Sequence, residues 1–64
     1  MLYNLKNKIV INLDQLLYAE PLCTGRNQYY LRFHFAEDQR SISFDTEEEV
    51  IEAMSELMEV TKNV

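Results

Sequence analysis

The sequence contains one cysteine, one histidine, one proline, one glycine and no tryptophan. A lone Cys23 excludes an internal disulfide, and no Cys/His set can be assembled for a structural zinc. No metal or cofactor is therefore expected. Long apolar runs are missing as well. No stretch approaches the roughly 20 apolar residues that cross a bilayer, so no membrane contact is expected. Met1-Leu2-Tyr3-Asn4-Leu5 runs into charge rather than into a secretory apolar segment, and the default expectation is a cytoplasmic protein. Bases are scarce, six against eleven acids, for a net charge of −5. That balance disfavours direct contact with nucleic-acid phosphates.

What remains is a chain of globular composition, 47% hydrophobic and 27% charged. Its 64 residues form one small domain, 1–64. A domain of that size buries only about 60% of its extended-chain surface, so its stability margin is narrow. Without a disulfide or metal, close packing or oligomerisation must supply the rest.

Asp45 to Val60 carries the one strong helical signal. Thr46 and Glu49 have the spacing of a capping box, with Asp45 as the competing cap. Val50, Ile51, Met54, Leu57, Met58 and Thr61 fall on one apolar stripe, and Glu48, Glu52, Ser55, Glu56 and Glu59 on the opposite face. The charge is divided unevenly. Up to Phe44 there are four acids and five bases; from Asp45 onward, seven acids face Lys62 alone.

The chain before the helix reads as short strands. Leu2–Leu5 and Lys8–Leu13 are apolar runs around Lys6-Asn7, which closes a tight hairpin or else marks a frayed end leading into one strand. Leu16–Leu22 is a further strand with Pro21 near its end, and Cys23–Asn27 a loop in which Gly25 is free to take positive φ. Gln28–Phe35 alternates cleanly: Tyr29, Leu31, Phe33 and Phe35 face one way, Tyr30, Arg32 and His34 the other. Ala36–Gln39 turns the chain into Arg40–Phe44. Placing Phe35 opposite Arg40 sets Phe33 against Ile42 and Leu31 against Phe44; a five-residue loop before Gln28 sets Leu17 against Phe33 and Ala19 against Leu31. The fold expected is α+β: an antiparallel meander of three to five strands, with one C-terminal helix on one face.

One helix covers one face. The other collects Leu16, Tyr18, Leu22, Tyr30, Arg32 and His34, more apolar and aromatic than a solvated face requires.

The string Ile11-Asn12-Leu13-Asp14-Gln15-Leu16-Leu17-Tyr18-Ala19-Glu20, together with Phe44-Asp45-Thr46-Glu47-Glu48-Glu49-Val50, resembles the FlbD-like family of small flagellar-associated proteins. The shared pattern is strand, Ile-Asn turn, strand ending in Glu, hairpin and acidic helix, with identities concentrated at Asn12, Glu20 and the helix start. The Asn-Gly turns of that family have only Lys6-Asn7 and Ala36–Gln39 as counterparts here. The resemblance implies a flagellar-associated interaction role; small bacterial and phage proteins share the same general pattern.

Other side chains point to less. His34 opposite Ser41 invites a base–nucleophile reading, but no orienting third group accompanies it, and an enzyme is not expected. Cys23 near Arg26 has no resolving cysteine. Glu37-Asp38 and Asp45–Glu49 lack the alternating ligands and central glycine of a calcium loop. Tyr18, Tyr30 and Arg32 would suit single-stranded nucleic acid only within a basic groove, whereas Tyr and Arg are also enriched at protein interfaces. Glu48, Glu52 and Glu56 form an i, i+4 column of like charge, each step costing about 0.2–0.5 kcal/mol. The expectation is a non-enzymatic interaction or regulatory protein that dimerises through its open sheet face or a strand edge. The alternative is an acidic decoy or inhibitor, phage-encoded for instance, whose helix blocks a basic, nucleic-acid-binding partner.

Overall fold

The computed structural model describes residues 1–62. Its first element is set by a turn. Lys6 and Asn7 both take positive φ, 53° and 59°, the signature of the tight turn whose twist matches paired strands. Lys8 N–H donates to the Leu5 carbonyl at 2.9 Å, and Asn4 Nδ2 to Asn7 Oδ1 at 3.0 Å. The result is a hairpin of β1 (Leu2–Leu5) and β2 (Ile9–Asn12), with Leu5 opposite Ile9 and Tyr3 opposite Ile11. A hairpin, rather than a frayed end, therefore precedes the main sheet.

That sheet is an antiparallel meander of β3 (Leu16–Thr24), β4 (Gln28–Phe35) and β5 (Gln39–Phe44), in the order β3-β4-β5. α1 (Glu47–Lys62) packs across it and against the hairpin. The described residues thus form an α+β fold, with five antiparallel strands in two sheets and a C-terminal helix.

Both expected registers are corrected by two residues. Ala19 pairs with Phe33 and Pro21 with Leu31; Phe33 pairs with Arg40, Leu31 with Ile42 and Tyr29 with Phe44. The cause is shorter loops. β3 runs on to Thr24, and Gly25–Asn27 closes the turn with positive φ at Asn27 (57°) and not at Gly25. Likewise β5 begins at Gln39, and Phe35 N–H donates to the Asp38 carbonyl at 2.8 Å. A shift of two preserves which face each side chain takes, so the core forms as its alternation requires.

Leu16 is the exception. The ladder slips between Leu16 and Tyr18, leaving Leu16 opposite Phe35 with Leu17 as the extra residue. A bulge of this kind reverses the facing of everything beyond it. Leu16 accordingly packs on the core side, not beside Tyr18, and Leu17 is 63% exposed.

The core consists of Leu5, Ile11 and Leu13 from the N-terminal hairpin region, Leu31, Phe33 and Phe44 from the sheet, and Val50, Ala53 and Leu57 from the helix. The helix is rotated from the expected stripe. Ala53 is fully buried where its small side chain lets the helix backbone approach, Met54 and Val60 pack at the margins, and Ile51 and Met58 are exposed. Thr46 is the cap: Glu49 N–H donates to its hydroxyl at 3.3 Å, and that hydroxyl reaches Glu49 Oε1 at 3.4 Å. Lys8 lies over the Phe44 ring, 5.2 Å from its centroid, tying the hairpin turn to the sheet.

Candidate functional site

The meander turns its other face away from the helix. Alternation along β3 and β4 brings Tyr18, Glu20 and Leu22 to that face, opposite His34, Arg32 and Tyr30 respectively. Of the residues expected there, the structure brings together Tyr18, Leu22, Tyr30, Arg32 and His34, and moves Leu16 to the core side. Glu20 is the addition. Its position two residues after Tyr18 already placed it on this face by parity.

Glu20 organises the charged part of the face. Its Oε1 lies 3.1 Å from His34 Nε2 and 4.0 Å from Arg32 Nη1. An ionised carboxylate can only accept, so Nε2 of His34 carries the proton of this hydrogen bond. Tyr18 stacks on the same imidazole, with centroids 4.2 Å apart. His34 is thereby fixed from two sides, while Tyr18 itself stays 55% exposed. Tyr30 donates its hydroxyl to Gln28 Oε1 at 3.0 Å and is the cross-strand partner of Leu22. The face is thus less bare than the sequence suggested: an aromatic and aliphatic surface around a compact cluster of opposite charges.

Ser41 stands opposite Arg32, and His34 stands opposite Gln39 on that side. The His34–Ser41 pair considered from the sequence is therefore not assembled, because the loop before β5 is shorter than expected. Cys23 is exposed, its thiol against the Thr24 carbonyl at 3.5 Å. Among the described residues no three His, Cys, Asp or Glu side chains gather as a metal site, and no helix is long and apolar enough to cross a membrane.

The acidic helix face divides in two. Glu48, Glu52 and Glu59 are exposed, but Glu56 is turned towards the hairpin, where the Tyr3 hydroxyl donates to it. Lys6 adds a cation, 3.4 Å from Glu56 and 3.9 Å from Glu52. The like-charge column is thus partly neutralised by the β1–β2 turn, a long-range pairing that helical spacing alone does not reveal. Hydrogen bonding to Glu56 raises the Tyr3 phenol above its ordinary value, with desolvation and the Glu56 charge acting in the same direction.

No protein-family model, curated protein or solved structure matches the chain.

Proposed function

We propose that the chain is a small, non-enzymatic interaction protein of the cytoplasm that acts as a homodimer through the outer face of its three-stranded sheet. The observation that carries this reading is the self-complementary character of that face. Tyr18, Leu22 and Tyr30 surround Glu20, Arg32 and His34, so acid and base lie within one patch. A two-fold axis through it sets the carboxylate of one copy near the guanidinium of the other, the arrangement an isologous contact needs. The helix offers the reverse, since two copies meeting there would oppose carboxylates. Pro21 on the edge strand β3 weakens the competing edge-to-edge dimer, because a proline leaves a gap in the row of donors. A regulatory role through such a dimer also fits the FlbD-like pattern of the chain.

The decoy reading draws on the exposed Glu48, Glu52 and Glu59, but loses Glu56 to Tyr3 and Lys6. Sedimentation at micromolar concentration tests the dimer. The expected mass is twice that of the chain, and Tyr30→Asp and Tyr18→Asp should each return it to the monomer without loss of secondary structure. A wild-type monomer overturns the reading. A dimer indifferent to both changes moves the contact elsewhere.

A further inference from the structure

The charges on the outer sheet face can be counted. The ionisable side chains that β3 and β4 turn outward are Tyr18, Glu20, Tyr30, Arg32 and His34. β5, the other neighbour of β4, brings Gln39, Ser41 and Ser43 to this face, and none of them carries charge. With His34 neutral, the Glu20 carboxylate balances the Arg32 guanidinium and the face sums to zero. Imidazole is the side chain whose charge ordinarily changes between pH 5 and 8, and His34 is the only histidine of the chain.

His34 is also placed where its charge is felt. Its side chain is 19% exposed, against 42% for Arg32 and 39% for Glu20. Tyr18 covers the ring at 4.2 Å, and Glu20 Oε1 holds Nε2 at 3.1 Å. That hydrogen bond keeps the proton of the neutral ring on Nε2, so a second proton enters at Nδ1. Protonation then has two consequences. Each face carries one positive charge in excess, and a two-fold axis sets the two excesses against each other. The imidazolium also draws Glu20 to its own copy, away from the guanidinium across the axis. Both effects oppose association, because like charges juxtaposed across an interface are costly. Neither opposes the fold, since His34 and Glu20 then form an ion pair within one chain.

We propose that His34 makes the homodimer pH-sensitive: the neutral imidazole lets the two sheet faces meet, and its protonation drives the copies apart. This regulation rests on the homodimer proposed above and adds a direction to it. The separated chains take up the proton more readily than the dimer does. By linkage, association is therefore strongest above the imidazole range and weakens as pH falls through it.

Sedimentation of the full chain over a concentration series, from about pH 7.5 to about pH 5.5 at constant low salt, tests the proposal; this window stays above the range where ordinary carboxylates take up protons. The dimer dissociation constant should rise at least roughly tenfold on acidification, while circular dichroism shows the fold unchanged. His34→Gln keeps an amide donor for Glu20 but cannot take up a charge, so its dimer should lose the pH dependence. Arg32→Gln gives a sharper arm. Its face is negative by one charge at neutral pH and sums to zero once His34 is protonated, so acidification should strengthen association. A merely structural role for His34 predicts no such inversion. A dimer whose constant is flat across the range overturns the proposal and leaves the dimer standing. A chain that is monomeric at every pH overturns both. A pH dependence that survives His34→Gln, or keeps its wild-type sense in Arg32→Gln, places the proton elsewhere and overturns the proposal alone.

Discussion

Tyr18 lies flat on His34, their ring planes 12° apart and their centroids separated by 4.2 Å. The two are cross-strand partners of β3 and β4, and Glu20 holds the far edge of the imidazole. Cross-strand aromatic contacts contribute about 0.2–1 kcal/mol relative to alanine pairs. A double-mutant cycle of Tyr18→Ala and His34→Ala, read by urea denaturation, should return a coupling in that range. Zero coupling would mean that the stack follows from strand pairing and adds nothing to it.

Tyr3 provides a pH signature. Its hydroxyl donates to Glu56, and this hydrogen bond, ahead of desolvation and the Glu56 charge, raises the phenol above its ordinary value of 10.0. The bond exists while the proton is on. Its contribution to stability is therefore complete below pH 10.0 and is lost as pH rises through the higher folded value. Ultraviolet titration of the four tyrosines should show one phenol ionising late, and Glu56→Gln should shift that phenol downward. A late phenol that persists in Tyr3→Phe would reassign the effect.

The rotation of the helix separates residues that the apolar stripe had grouped. Leu57 is 4% exposed and Ile51 56%. Leu57→Ala should cost about 2–5 kcal/mol, while Ile51→Ala should stay within about 0.5 kcal/mol. Thr46→Ala, which removes the cap, should fall between them at about 1 kcal/mol. Equal losses at Leu57 and Ile51 in urea melts would contradict the observed rotation.

These contrasts show where the sequence was legible. Period-two alternation in Gln28–Phe35 and the Thr46 capping signal are local, and both elements form where those signals lie. Face assignment survived a two-residue register error because parity, not register, decides burial. The helix rotation was less accessible. Ala53 carries a weak hydrophobic signal, yet its small size allows the close approach that buries it, whereas Ile51 and Met58 have strong signals and lie outside the contact. Glu56 is paired with Tyr3 and Lys6 across the fold, and nothing in the spacing of either segment encodes that meeting. On the outer face, Tyr18, Leu22, Tyr30, Arg32 and His34 followed from alternation; Leu16 did not, because a bulge interrupts it.

Leu16 and Leu17 therefore offer the most direct test of the β3 geometry. Continued regularly from the Ala19–Phe33 pair, alternation would bury Leu17 opposite Phe35 and expose Leu16 beside Tyr18. The bulge does the opposite: Leu16 faces Phe35 and packs on the core, while Leu17 is 63% exposed. Leu16 is half-buried, so Leu16→Ala should cost about 1–2 kcal/mol, below the 2–5 kcal/mol of a fully buried leucine. Leu17→Ala should cost no more than about 0.5 kcal/mol. Introduced charge widens the contrast. Leu16→Asp forces a carboxylate against apolar neighbours and should destabilise by at least about 2 kcal/mol; Leu17→Asp should leave the denaturation midpoint nearly unchanged. The order of these effects carries the test, because both residues have the same chemistry and differ by one position. If Leu17 proves the costlier site, β3 pairs without a bulge.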